Sequence, residues 1–281
     1  MENRVGLIGL GLLGSALAER FLLAGFAVSG FDTDPARLAA FAQLGGVPES
    51  SSAQAAAGAA FVVLSLPDSS VSATVIDDLV PALEPGAVVV DTTTGEPAAM
   101  ADLGARVPRY VDATVAGSSR QVREGAAVVM AGGASADILR CTSLLECFAA
   151  RIFHTGDCGS GARMKLIVNL VLGLNRAAVA EGLALAQASG VDPALALDVL
   201  RAGPAFSTAM DRKGPKMVQR DWTPEARLAQ HHKDVRLILA EAGRAGIELP
   251  LSITHERLLE KAEQSGFGAA DNAAILEAYS Q

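Results

Sequence analysis

The chain reads as an α/β protein in two parts, a doubly wound parallel sheet followed by an all-helical domain led by one long helix. Three observations predict this. Short apolar strands alternate with helical stretches as far as His154, the rhythm of strand–crossover–strand units. A glycine pattern, Gly9-Leu10-Gly11-Leu12-Leu13-Gly14, joins the first strand to the first helix. After Gly161 the strand signals cease, and a nearly unbroken helical stretch covers residues 162–189, closed by Gly190. At 281 residues the chain reaches the size at which a single core stops growing, so two domains are expected, 1–161 and 162–281.

The elements follow in order. Residues 4–9 are expected as a short buried strand running into the glycine turn. Residues 15–24 follow as a helix ended by Gly25, and 27–31 as a second strand closed by Asp32. The alternation continues with a strand at 61–66, a helix at 70–83 and a strand at 87–90 before Asp91. Further strands are expected at 109–111, 127–131 and 150–154. The long helix at 162–189 is apolar around most of its circumference, which predicts burial between layers. Asp192-Pro193 opens the next helix, 193–201, and helices at 205–219, 224–245, 251–265 and 270–278 complete the chain.

The glycine pattern gains meaning from its context. A strand precedes it, a helix follows, and an acidic residue, Asp32, ends the next strand. Gly9 permits the tight turn, Gly11 lets backbone approach a pyrophosphate, and Gly14 allows close helix–strand packing. The helix N-terminus then offers free N–H groups and a partial positive charge to phosphates. A Rossmann-like dinucleotide site is the reading. A carboxylate at Asp32 accepts hydrogen bonds from a ribose 2′-hydroxyl and repels a 2′-phosphate, which favours NAD. Arg37, five residues on, keeps NADP open.

Composition excludes several classes. Half the residues are apolar and 19% are charged, as suits a globular protein with a large interior. The formal net charge of −8 argues against nucleic acid or anionic lipid as partner, since both repel an acidic surface. Arg212, Lys213, Lys216 and Arg220 form a local basic cluster interrupted by Pro215, read as a solvated loop. Cys141, Cys147 and Cys158 form neither a CxxC pair nor an even framework, which favours a reducing, cytoplasmic setting. Adjacent His231 and His232 lack the four-residue spacing of helical metal ligands, and no metal is expected. Residues 5–18 form an apolar run after Arg4 with Ala16-Leu17-Ala18 resembling a signal-peptide cleavage site. Glu2 spoils the basic leader, and the glycines fall at nucleotide-turn positions, so the nucleotide turn is preferred. No later run reaches the ~18 uninterrupted apolar residues of a membrane span. Asn169, Asn175, Arg176 and Glu181 break the most hydrophobic helix, and a soluble protein is expected.

Lys165 and Asn169 lie four residues apart in Lys165-Leu-Ile-Val-Asn169, so one amine and one amide face the same way on a helix. A hydride leaves a carbinol carbon only as the O–H proton departs, which requires a base within hydrogen-bond reach. Burial and a positively charged ring nearby are the conditions under which a lysine serves as that base. The apolar neighbours Leu166, Ile167 and Val168 argue against a solvated stretch. The first turn of the long helix is expected to aim at the first domain, placing a cleft near Lys165.

Four separated motifs make the chain resemble the β-hydroxyacid dehydrogenases, which include 3-hydroxyisobutyrate dehydrogenase and tartronate semialdehyde reductase. They are the glycine turn, Asp112-Ala-Thr-Val-Ala116-Gly117-Ser118 with Gly125 and Met130-Ala-Gly-Gly133 downstream, Gly159-Ser-Gly161 with Lys165 and Asn169, and Lys233-Asp234-Val-Arg-Leu. The likeness covers essentially the whole chain and includes a C-terminal domain similar to that of 6-phosphogluconate dehydrogenase. It implies hydride exchange between NAD(P) and a small β-hydroxy acid or its semialdehyde. Lys165 would be the general acid/base, and Asn169 would hold and orient the substrate. Leu66, Pro67, Thr94 and Lys233 match the family's remaining cofactor contacts, with Lys233 in a segment that helps close over the cofactor. The resemblance also implies dimers or tetramers, as does the apolar surface of the long helix.

The second motif departs from the family's pattern. Ala116-Gly117-Ser118 stands where members commonly show Ser-Gly-Gly, a segment that cradles the substrate carboxylate. Backbone donors at Gly117 and Ser118, and added donors at Ser118, Ser119 and Arg120, suit a carboxylate held differently or another anion such as a sulfonate or phosphonate. Two other readings carry their own discriminators. Imine reductases share a related fold but usually lack the lysine matched by Lys165. Non-catalytic cofactor-binding modules have lost it.

Overall fold

The structure is a computed structural model describing residues 3–280; Glu2, weighed above against a leader peptide, lies outside the described residues. The chain forms two compact units, Met1–Lys165 and Leu166–Gln281.

The first unit is built on eight strands in the order β3-β2-β1-β4-β5-β6-β7-β8. β1 (Arg4–Ile8) pairs in parallel with β2 (Ala27–Phe31) on one side and β4 (Phe61–Leu64) on the other. β3 is only Val47–Pro48 at the edge, and β5 (Val88–Asp91) and β6 (Tyr110–Ala116) extend the parallel run. β4 and β5 are fully buried Phe-Val-Val-Leu and Val-Val-Val-Asp, the continuous apolar signature of strands covered on both faces. Helices α1 (Leu12–Leu23), α2 (Pro35–Gln43), α3 (Ser52–Ala56), α4 (Ser69–Leu79) and α5 (Pro97–Arg106) connect them. Asp34, Ser51 and Asp68 cap α2, α3 and α4 by accepting from backbone N–H groups one turn in. Among these elements the sequence reading left out α2, α3, α5 and β3, although the caps of α2 and α3 were legible.

The expected all-parallel sheet needs one correction. β7 (Ala127–Gly133) runs antiparallel to β6, and β8 (Ala149–Gly156) is again parallel to β7. Only residues 117–126, with the five-residue α6 (Ser119–Arg123), separate β6 from β7. A parallel return takes a crossover of a dozen or more residues, so this short link turns the strand back. β7 and β8 are joined through α7 (Ser135–Leu145), long enough for a parallel crossover.

α8 (Ser160–Ala188) is one 29-residue helix. Its expected burial between layers holds for one face only. Ala162, Leu166, Ala180 and Leu183 are buried, but Ile167, Val171 and Leu185 are 50–67% exposed. By length and composition α8 also falls within the range of a membrane span, with a mean hydropathy of 1.4, although polar residues interrupt its apolar run. Its Asn169 and Arg176 are buried against protein, as in a core helix.

The second unit packs that helix with α9 (Pro193–Ala202), α10 (Thr208–Gln219), α11 (Leu228–Arg244), α12 (Pro250–Ala262) and a 3₁₀ segment, Asn272–Tyr279. Leu183, Leu197, Met217, Leu228, Leu259 and Ile275 form its core. The basic cluster is not a solvated loop. Pro215 sits inside α10, and the Asp211 carbonyl that its ring deprives of a donor accepts from Arg201 at 2.9 Å. Lys213 pairs with buried Asp271, Lys216 with Asp221 and Arg220 with Glu277, which ties these cations to acids.

Candidate functional site

In the first unit the site grows from the ends of the parallel strands. β1 delivers the chain into Gly9, whose φ of +92° is left-handed and open to glycine at no cost. The helix begins earlier than expected: Gly11 is its N-cap and Leu12, Leu13 and Gly14 already belong to α1. A Cβ at Gly14 would run into the Gly9 carbonyl, so helix and turn touch backbone to backbone. A Cβ at Gly11 would meet only the Arg37 guanidinium, 3.8 Å away, which leaves that side of the turn open. Helix-start N–H groups and an unobstructed backbone fit a pyrophosphate. Beside them lies a groove of about 290 Å³ lined by Leu10, Gly11, Leu12, Ser15, Arg37 and Phe41, among others.

Asp32 does more than await a ribose. One carboxylate oxygen accepts from the Leu10 N–H at 2.7 Å and from Arg37 at 3.3 Å, and the other accepts from the Asp34 N–H at 2.9 Å. Its side chain is only 5% exposed, so it clamps the glycine turn to the start of α2. Arg37, half exposed, also reaches Asp34 at 3.5 Å.

Leu66 and Pro67 follow β4, and Thr94 follows β5, each at least partly exposed. Sequence reasoning missed what holds them. Leu66 N–H donates to the Thr93 hydroxyl at 3.1 Å, and the Thr92 hydroxyl donates to the Leu64 carbonyl at 2.7 Å. Asp91, fully buried, accepts from Thr93 N–H and from the Tyr110 hydroxyl, both at 2.9 Å. Burial raises its pKa, and those hydrogen bonds oppose the rise. The signal was present in Asp91-Thr-Thr-Thr94, four polar residues at the end of an apolar strand.

β6 ends in Ala116, and Ser118 opens α6 with a capping box. Its hydroxyl accepts from Gln121 N–H at 3.3 Å, while its own N–H donates to the Gln121 side chain at 3.0 Å. The Ser118 N–H, expected as a donor toward substrate, serves this cap in the structure. The hydroxyl hydrogen is still able to donate. Lys165 closes the first unit. Its amine donates to the Val115 carbonyl at 2.7 Å, beside the Ala116-Gly117-Ser118 segment.

One turn further along α8, in the second unit, Asn169 is buried and donates its amide to Asp234 at 3.0 Å. That bond fixes which way the amide points. Lys233, partly exposed, precedes Asp234 on α11. His232, next in line, shares a 2.6 Å contact with Glu263, and His231 packs on His255 with ring centroids 5.2 Å apart.

The family models and the most similar relatives point to one family, while imine reductases, at 17–22% identity and TM-scores of 0.62–0.68, share the fold alone. Residues 4–156 match the NAD-binding domain of 6-phosphogluconate dehydrogenase, and residues 159–279 match the NAD-binding family of NADP-dependent 3-hydroxyisobutyrate dehydrogenase. L-threonate dehydrogenase of Cupriavidus necator is 28% identical over 99% of this chain and 97% of its own. 2-(Hydroxymethyl)glutarate dehydrogenase of Eubacterium barkeri is 30% identical over 99% and 95%. The crystal structure of 3-hydroxyisobutyrate dehydrogenase from Salmonella typhimurium superposes with a TM-score of 0.91 at 26% identity, covering 98% of this chain and 99% of that one. With its glycine turn, its Lys165–Asn169 pair and these relatives in agreement, the chain belongs to the β-hydroxyacid dehydrogenases, NAD(P)-dependent oxidoreductases acting on the hydroxyl or carbonyl groups of small acids.

Proposed function

We propose that the protein interconverts a small β-hydroxy acid and its semialdehyde, with Lys165 as general acid/base and NAD preferred over NADP. The observation that carries this reading is the Lys165 amine held on the Val115 carbonyl, next to Ala116-Gly117-Ser118. Proton transfer and anion recognition thus fall at one end of β6. The nicotinamide, when bound, supplies the hydride acceptor. Lys165 takes the hydroxyl proton in oxidation and returns it in reduction, and Asn169, its amide oriented by Asp234, aligns the substrate oxygen. The NAD preference follows from charge: Asp32 and Asp34 outnumber the one guanidinium of Arg37, and a 2′-phosphate would meet net negative charge.

The relatives act on L-threonate and 2-(hydroxymethyl)glutarate, which supports a small hydroxy acid here. Because the capping box takes the Ser118 N–H, the acid group is held by hydroxyls at Ser118 and Ser119, an arrangement that also suits a sulfonate or phosphonate. Free Cys141, Cys147 and Cys158 support a reducing, cytoplasmic compartment, and the exposed apolar stripe of α8 supports self-association.

The test is an NADH-linked screen of 3-hydroxyisobutyrate, L-threonate, tartronate semialdehyde and their sulfonate and phosphonate analogues, run beside Lys165→Ala. Turnover with at least one hydroxy acid or semialdehyde is expected, lowered by ~10²–10⁴ in the variant, with NAD⁺ affinity within about twofold. Unaltered turnover in Lys165→Ala removes the assigned role.

A further inference from the structure

Three consecutive points tie β6 to the first two turns of α8. Asp112, fully buried, accepts from the Gly159 N–H at 3.0 Å with one oxygen and from the Ala162 N–H at 2.8 Å with the other. Thr114, two residues on and therefore on the same face of the strand, donates its hydroxyl to the Gly161 carbonyl at 2.8 Å. Lys165 then reaches back to the Val115 carbonyl at 2.7 Å. A Cβ at Gly161 would collide with the carbonyl oxygens of Asp112 and Met130, so no gap separates helix from strand. The first N–H groups of a helix have no acceptor within it, and a carboxylate placed there answers two of them and the positive end of the helix dipole.

We propose that Asp112 is a positioning residue for the reaction: by anchoring the start of α8 on β6 it sets where the Lys165 amine stands relative to Ala116-Gly117-Ser118. The inference rests on the reading of Lys165 as the acid/base. It asks Asp112 to stay a double acceptor, because a protonated carboxyl or an amide would turn a donor toward one of the two N–H groups and release it. Burial pushes the Asp112 carboxyl up to about 7; the Ala162 and Gly159 N–H groups oppose the rise and the charge of Asp91 adds to it. Tyr110 on β6 and Cys158 before α8 are the other titratable groups that face it. The anchor therefore loosens as pH falls through neutrality.

Asp112→Asn tests this, with tartronate semialdehyde and NADH as the probe. In the reductive direction Lys165 must be protonated, so its own limb lies on the alkaline side and an acid-side limb reports the anchor. Wild type is expected to lose kcat below about pH 7. Asp112→Asn is expected to have kcat lowered about tenfold to a hundredfold, since displacements near 1 Å cost that much. Its acid limb is expected to be absent and NAD⁺ affinity, measured calorimetrically without substrate, to be within about twofold of wild type. An acid limb unchanged in the variant, or a kcat loss matched by an equal loss of NAD⁺ affinity, overturns the proposal. If Asp112→Asn does not fold, Thr114→Val removes one tie alone; a kcat reduced several-fold with NAD⁺ binding intact supports the anchor, and wild-type kcat sinks it. Lys165→Ala separates the two readings. Full activity there removes the acid/base assignment, whereas an inactive Lys165→Ala beside an unperturbed Asp112→Asn removes only the anchor.

Discussion

Gly11 and Gly14 stand three residues apart at the start of α1, yet a methyl group at each has opposite consequences. At Gly11 the backbone is φ −67°, ψ −162°, which alanine adopts, and the nearest atom to a new Cβ is 3.8 Å away. Gly11→Ala is therefore expected to fold with a melting temperature near wild type and to lose NAD⁺ affinity at least tenfold, since the methyl stands where the pyrophosphate must approach. At Gly14 the methyl meets the Gly9 carbonyl, and Gly14→Ala is expected to melt well below wild type whether or not NAD⁺ is present. Thermal melts and calorimetric titration of both variants check the contrast; equal melting temperatures would remove the packing role of Gly14. This much of the site was legible because a glycine pattern states a backbone requirement directly. The clamp at Asp32 was not, since its oxygens serve Leu10 and Asp34 through contacts that only the folded turn creates. Nor was the capping box at Ser118, although Ser118 and Gln121 carry its spacing, because the segment was read for its likeness to an anion cradle and not for its local hydrogen bonds.

At the scale of elements, the buried faces of α8, α11 and α12 carry an uncommon load of polar groups for a core. Arg176 is fully buried, with Nε and Nη1 lacking a hydrogen-bond partner in the protein, and burial lowers its pKa to about 10. His255 on α12 packs at a tilt against His231 on α11, and its pKa is lowered from 6.5 to about 4 by burial first, then by the charges of Arg176 and His232. A histidine with a depressed folded pKa leaves the unfolded chain binding more protons between those two values. Its neutral form thus supports stability fully above pH 6.5, and that support is lost as pH falls toward 4. The loss amounts to about 3 kcal/mol, a sizeable share of a typical stability of 5–15 kcal/mol. Urea unfolding followed through Trp222, the one tryptophan, which packs edge-on to Phe267 in this unit, is expected to show that decline. His255→Leu should flatten it, and a variant with an unchanged pH dependence would locate the effect elsewhere. Most elements here were readable from apolar periodicity and from Gly190 and Asp192-Pro193 as stop and start signals. The antiparallel β7 was not, because a strand's direction is set by the length of the link before it and leaves no mark on its own residues. Pro215 misled for a related reason: the carbonyl it strands is satisfied by Arg201, from another helix.

For the molecule as a whole, a net charge of −8 spread over 281 residues coexists with a stripe of apolar side chains that the chain leaves uncovered. On α8, Ile167, Val171, Ala178 and Leu185 are exposed and recur at steps of four and seven residues, which keeps them on one face. Between Ala178 and Leu185 lies Gly182, with nothing within 4 Å of where its Cβ would stand. Sequence alone read this helix as buried between layers and also as apolar surface for self-association, because composition gives how apolar a helix is, not how much of its cover the same chain supplies. Monomeric proteins rarely leave a contiguous apolar stripe open, and closed homo-oligomers are the common way to cover one. Light scattering coupled to size exclusion is accordingly expected to give at least twice the 28.8 kDa chain mass. Leu185→Glu, which sets a carboxylate in the stripe at a position two-thirds exposed within one chain, is expected to shift the mass toward the monomer while helical circular dichroism stays unchanged. The two outcomes separate cleanly. A wild-type protein already monomeric at working concentration removes self-association altogether. An oligomer that survives Leu185→Glu places the contact on another face and leaves the stripe of α8 as surface.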